Sequence, residues 1–169
     1  MVELSDIVTD QGYDLDELSR RNPVFLGFLR HFGCVFCREA LHDISKEMDY
    51  FDSKGILVVM VHMAESSTAL NYFEQFNLKG IQHVSDPECF LYARFGLAKG
   101  SFSQLFGLRT WIRGYEANKK GIPYQLQPVG DSIQMPGIFM LCEGQVKGSF
   151  IHRSISDKPD YKKLTECCV

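Results

Sequence analysis

Apolar residues in this chain fall into two patterns, short continuous runs and stretches with a three-to-four-residue rhythm. The run VFLGFL at 24–29, set off by the turn signal Asn22-Pro23, predicts a buried strand. Beyond it Cys37, Leu41, Ile44, Met48 and Phe51 recur at helical spacing, and Gly55 supplies a left-handed stop. ILVVMV at 56–61 is continuous and β-branched, as a strand covered on both faces must be. A second helix is expected to start at Ser66-Ser67 and to turn Leu70, Phe73 and Phe76 inward, followed by a short strand at 80–84. Asp86-Pro87 predicts a helix with Asp at the N-cap and Pro at its first position, closed by Gly96. At the start of the chain a turn at 10–12 precedes a small helix using Leu15 and Leu18.

Residues 98–133 are the least regular. A helical pattern over 103–118 uses Leu105, Leu108, Ile112 and Tyr115, with Trp111 alongside, and Gly121 stops it before a Pro-containing connector to Gly130. Strand 138–142, the turn Glu143-Gly144 and strand 146–151 form a hairpin, and a last helix starts near Pro159 with Tyr161 and Leu164 inward. The order therefore predicts one domain over 1–169. It is an α/β/α sandwich around a mixed sheet, with 98–133 as a helical insertion ahead of a C-terminal hairpin.

At 169 residues, with 45% hydrophobic and 23% charged residues, the composition is that of an ordinary globular domain. A net charge of −3 without a basic run excludes nucleic acid or an anionic membrane as the main partner. The acidic start lacks the apolar core of a signal peptide, and no run is long enough to span a bilayer, so a cytoplasmic setting with reduced thiols is expected.

Chemistry concentrates in Cys34 and Cys37, a CxxC at a strand-to-helix junction. The first helical turn presents unpaired N–H groups and the positive end of the dipole, both of which favour thiolate. A zinc half-site is the rival reading, but structural zinc wants a second ligand pair, and the adjacent Cys167 and Cys168 chelate poorly. Arg30, His31 and Arg38 lie near enough in sequence to add positive potential, with His31 alternatively an acid/base or a solvated loop residue. Pro136, before a strand, is either a cis proline beside the CxxC or a rigid turn. Cys167 and Cys168 are either resolving thiols or incidental tail residues; Cys89 and Cys142 read as core. Phe32, Phe36, Phe102 and Trp111 are candidates for an apolar substrate groove, and His152-Arg153 for an anion contact or simple exposure.

On RHFGCVFCREA (30–40), SDPECFLYARFGL (85–97), GDSIQMPGIFML (130–141) and SFIHRSISDKPD (149–160), the chain resembles the peroxiredoxin-like proteins of the alkyl hydroperoxide reductase/thiol-specific antioxidant group, in the branch with a CxxC. The resemblance covers most of 24–165. It implies a thioredoxin fold, thiol-dependent antioxidant or disulfide chemistry, no metal or organic cofactor, a thioredoxin- or glutathione-like reductant and, in some relatives, a homodimer. Typical members carry P-x-x-x-T-x-x-C; here Cys37 takes the peroxidatic position, Cys34 replaces the threonine and Arg30 the proline. Pro136 replaces a family arginine. The expectation is a dithiol oxidoreductase with Cys34 attacking from the more exposed position and Cys37 resolving. Its rivals are a peroxidase acting through Cys37, and a redox-responsive binding module using 98–133 as its surface.

Overall fold

The computed structural model describes residues 2–101, 104–105, 108–119 and 131–169. Phe102, the start of the predicted insertion helix at Ser103, and the connector from Gly121 to Gly130 lie outside the described residues, as does the side chain of Trp111.

Five strands form one sheet: β1 (Val24–Phe28), β2 (Leu57–His62), β3 (Gln82–Ser85), β4 (Gly137–Cys142) and β5 (Gln145–Ile151), in the order β3-β2-β1-β4-β5. β1, β2 and β3 are parallel, and β4 and β5 are added antiparallel. The helices are α1 (Leu15–Arg21), α2 (Val35–Ser53), α3 (Ser66–Gln75), α4 (Phe90–Arg94), α5 (Leu108–Lys119) and α6 (Tyr161–Thr165).

The continuous apolar runs are explained by the two-residue alternation of strand side chains, which feeds both faces of a covered sheet. Phe25, Val58, Met60, Ile138 and Met140 join α2, α3 and Tyr161 of α6 in one core. Their neighbours Leu26, Phe28, Val59, Val61, Phe139 and Leu141 join Leu15, Leu18, Tyr92 and Phe95 in the other. Register pairs Phe28 with both Val61 and Gly137, so β1, β2 and β4 bring their ends together where α2 begins. The Tyr92 hydroxyl locks that edge by donating to the carbonyls of Leu29 and Val61. Glu143 and Gly144 both hold positive φ (54° and 73°), the backbone a tight two-residue hairpin turn requires.

Three expectations shift. The helix expected at Asp86-Pro87 starts at Phe90, and Asp86 caps it from four residues upstream by accepting from the N–H groups of Phe90 (3.0 Å) and Leu91 (2.8 Å). The inward stripe of α3 is Ala69, Tyr72 and Phe73, the i, i+3, i+4 positions of one face, which leaves Leu70, one residue on, 46% exposed. On α5, Ile112 and Tyr115 face outward despite their helical spacing. α5 instead docks through Ala117 and an ion pair from Arg113 to Glu39 at 3.2 Å.

Candidate functional site: a dithiol at the start of the long helix

β1 delivers the chain to the sheet edge at Phe28, and residues 29–33 turn it into α2 with Cys34 at the N-cap. The Cys34 N–H bonds back to the His31 carbonyl (3.0 Å) and its own carbonyl accepts from Arg38 (3.2 Å), so the loop is fixed on both sides of the sulfur. Arg30 organises both thiols. Its guanidinium Nη1 donates to Cys34 Sγ at 3.2 Å, and its backbone N–H donates to Cys37 Sγ at 3.0 Å. Nη2 is anchored on the Ser132 carbonyl, which joins the CxxC loop to the segment leading into β4.

The two sulfurs are electrostatically unlike. The Cys34 thiol is lowered to about 6, first because the Cys37 thiol donates a hydrogen bond to it and then because of the Arg30 charge; burial opposes both. Cys37 is pushed well above its ordinary value, first by burial and then by that same bond to Cys34. Geometry supports this assignment of the charge, since the N-cap sulfur alone meets a guanidinium N–H and sits at the positive end of a 19-residue helix. Cys34, expected to be the more exposed, is so only by a small margin, for both are buried, at 7% and 4% exposure. They are reached through a narrow crevice of about 50 Å³. Its walls include Phe36, Pro136, His152, Ile155 and Tyr161.

Other expectations are corrected by packing. His31 is a buried residue, neither solvated nor charged: burial first, and Arg30 second, lower its pKa to about 4. The Arg38 guanidinium lies 5.6 Å and 5.7 Å from the ring centroids of Tyr72 and Phe76, away from the crevice, so Arg30 is the cation that meets the sulfurs. The Met135–Pro136 bond is trans. Trans is the lower-energy form by roughly 0.5–1 kcal/mol, and Met135 is held in place by its N–H bond to Ala98 at 3.2 Å. Pro136 nonetheless lines the crevice. Phe36 does so too, whereas Phe32 stacks on Tyr72 at 4.4 Å in the core. Cys142 is no isolated core thiol but is disulfide-bonded to Cys168, while Cys167 is free and exposed. Cys89 is half-buried beside Met63.

Sequence reasoning missed Glu39, Asp43, Lys158 and Tyr161 as crevice residues, and read His152 as an anion contact or an exposed residue rather than as part of the crevice wall. Burial lowers the His152 pKa to about 4, so it enters the crevice neutral at pH 7. No local pattern marks these positions, because their partners are distant: Glu39 pairs with Arg113, and Asp43 with Lys158 at 2.6 Å. Among the described residues no three His, Cys, Asp or Glu side chains converge as metal ligands, and no helix is long and apolar enough to cross a membrane.

A mixed sheet with a buried dithiol at the start of its longest helix defines a thioredoxin-fold thiol protein. No protein-family profile matches the chain. Relatives do: a chloroplastic thioredoxin-like protein AAED1 of Arabidopsis thaliana is 23% identical over 163 residues, covering 91% of this chain and 65% of its own length. The human prostamide/prostaglandin F synthase is 25% identical over 158 residues, 91% of this chain and 79% of that one. The bovine peroxiredoxin-like 2C is 32% identical over 87 residues, half of this chain and 37% of its own. Among solved structures, a Xanthomonas campestris peroxiredoxin Q mutant superposes with a TM-score of 0.61 at 16% identity, covering 90% and 85% of the two chains. A Chlorobium tepidum protein assigned as the thiol:disulfide interchange protein DsbE gives 0.57 at 17%, covering 94% and 87%. The chain is a thioredoxin-fold protein homologous to the thioredoxin-like and peroxiredoxin-like proteins, and relatives and site together support an enzymatic redox role.

Proposed function

We propose that this protein is a cytoplasmic thiol–disulfide oxidoreductase of peroxiredoxin-like type, with an antioxidant role, in which Cys34 attacks and Cys37 resolves. The observation that carries the proposal is the unequal treatment of the two sulfurs by Arg30 and by each other. The Cys34 thiolate attacks one sulfur of a substrate disulfide, forming a mixed disulfide and expelling the other sulfur as a thiolate that takes a proton from solvent. With Cys34 now covalently bound, Cys37 loses its proton and attacks Cys34 Sγ. That step closes the Cys34–Cys37 disulfide and releases the second substrate thiolate. A thioredoxin- or glutathione-like thiol donor returns the pair to the reduced state. Arg30 holds the thiolate, and Pro136 and His152 shape the approach to it; His31 and Arg38 act at most through the loop.

A second reading makes the protein a peroxidase with Cys37 as the attacking residue, since a crevice of about 50 Å³ suits a peroxide better than a protein loop. The relatives named prostamide/prostaglandin F synthase extend it to oxygenated lipids of the prostaglandin class, for which the crevice would have to widen. Cys167 and Cys168 are weaker candidates for resolution. Gly137 lines the crevice while Cys142, bonded to Cys168, ends the same strand about 17 Å away at roughly 3.4 Å per residue. A homodimer belongs to the same proposal and is read by sedimentation.

Stopped-flow mixing with hydrogen peroxide and an alkyl hydroperoxide, alongside insulin-disulfide reduction, separates the readings. Loss of insulin reduction in Cys34→Ser supports the dithiol mechanism. Fast peroxide consumption that survives Cys34→Ser and vanishes in Cys37→Ser would overturn it. If neither activity exists but a partner is captured only by the oxidised protein, the pair is a sensor without turnover.

A further inference from the structure

The far end of the sheet carries a second group of sulfurs that the Cys34 crevice does not use. Cys142, the last residue of β4, is joined to Cys168, 26 residues on, with Cα atoms 6.1 Å apart. Cys167 stands beside the bond as an exposed free thiol, its Sγ 3.7 Å from that of Cys168. All three line an open recess of about 380 Å³ between the start of β1 and the hairpin turn, bordered by Arg20, Asn22 and Lys147. Cys168 is only half-buried there, so an incoming thiolate can reach it from solvent.

The bond also closes a ring around α6. β4 runs from the crevice at Gly137 to Cys142, and α6 runs from the crevice wall at Tyr161 towards Cys168. α6 is held at its start by Tyr161 in the core and along its length by Leu164 packed on that core, by Lys162 to Glu47 at 3.1 Å and by the Tyr50 hydroxyl to Thr165 at 3.0 Å, so the disulfide is the covalent tie just beyond its last turn.

We propose that Cys142, Cys167 and Cys168 form a second thiol–disulfide exchange site that accepts a thiolate donor from solvent, and that its redox state sets how firmly α6 is held over the Cys34 crevice. The donor thiolate attacks Cys168 Sγ. The Cys142–Cys168 bond breaks as a donor–Cys168 disulfide forms, and Cys142 leaves as a thiolate that takes a proton from water. A second donor thiolate then attacks the donor sulfur, releasing the oxidised donor and the Cys168 thiolate, which is protonated in turn. In total, the disulfide gains two electrons and two protons from two donor thiols. Cys167 offers a branch: its thiolate attacks the donor sulfur, keeps the donor as a mixed disulfide, and releases the Cys168 thiolate, which is protonated, so that Cys142 and Cys168 both end reduced. The exchange site stands independently of the CxxC reading; only its effect on the crevice rests on Cys34 being the reactive thiol.

The test uses the full chain with Cys34→Ser and Cys37→Ser, so that the CxxC contributes nothing. The native protein is equilibrated in a series of glutathione/glutathione disulfide ratios, and separately with reduced thioredoxin, then acid-quenched, alkylated and mapped by mass spectrometry. The expected result is joint alkylation of Cys142 and Cys168 as the buffer becomes reducing, with glutathione adducts on Cys167 or Cys168 at intermediate ratios. Opening by glutathione identifies a small monothiol as sufficient; opening by thioredoxin alone identifies a protein dithiol. A bond that neither donor opens in the native state, or that is absent in the most oxidising buffer, overturns the exchange site. For the clamp, amide exchange in α6 is expected to quicken by about tenfold or more on opening. Unchanged exchange there overturns the clamp.

Discussion

At equal access the Cys34 thiol should be alkylated faster than a free cysteine at pH 6 and more slowly at pH 8.5, so its rate should level off at a much lower pH. A free thiol titrating near 8.5 is only about 0.3% thiolate at pH 6. Cys34, lowered to about 6, is then about half ionised, which is about a 160-fold advantage in reactive species. A less basic thiolate is a poorer nucleophile: with a Brønsted slope of 0.4–0.5, a drop of about 2.5 in pKa costs roughly 10–20-fold. The net advantage at pH 6 is therefore roughly tenfold, and by pH 8.5 it reverses to a roughly sixfold disadvantage. The narrow crevice slows every rate by a common factor and leaves the midpoint alone. Iodoacetamide rates from pH 4 to 9, read on the tryptic peptide 31–38 with fragmentation to separate its two cysteines, measure the curve. Because the hydrogen bond from Cys37 outweighs the Arg30 charge, Cys37→Ala should raise the midpoint further than Arg30→Met does. A wild-type midpoint near 8.5, or low-pH modification found on Cys37 instead, would refute the electrostatic argument.

Cys168→Ser opens a 26-residue loop and should cost about 3.5 kcal/mol in the chain-entropy account, measured by urea unfolding without reductant; a cost under about 1 kcal/mol would mean that the bond constrains little. His62 is fully buried, and burial lowers its pKa from 6.5 to about 4, with His83 adding to the shift. The unfolded chain therefore binds the extra proton first. Its contribution to stability is complete above pH 6.5 and is lost as pH falls towards 4, by about 2 kcal/mol at pH 5; His62→Gln should flatten that part of the curve. Arg113→Ala leaves the buried Glu39 carboxylate without its 3.2 Å partner on α5 and should cost about 1–2 kcal/mol, seen as a lower Tm at pH 7.

The order of strands and helices, the burial of both sheet faces and the placement of Cys34 at the N-cap of α2 were all legible in local spacing. Those signals act over a few residues, where strand alternation and helical rhythm operate. Spacing misjudged positions where an element's rotation or start depends on its neighbours. Leu70 keeps helical spacing yet faces solvent, and Asp86 caps α4 from outside it. Arg30, His31 and Arg38 look equivalent on paper. Packing sent Arg38 to Tyr72 and Phe76, buried His31 as a neutral ring and left Arg30 alone with the sulfurs.

The sequence by itself determined that this protein is a layered α/β domain with two thiols on the first turn of its longest helix. Only the tertiary structure decided which sulfur carries the charge, how narrow its access is, and that Cys142 finds Cys168. Each of these depends on groups brought together from separate elements: Arg30 reaches Ser132 across 102 positions, Glu39 reaches Arg113 across 74, and Cys142 reaches Cys168 across 26. A pKa or a covalent partner is set by what lies within a few ångströms, and spacing along a chain does not encode that proximity.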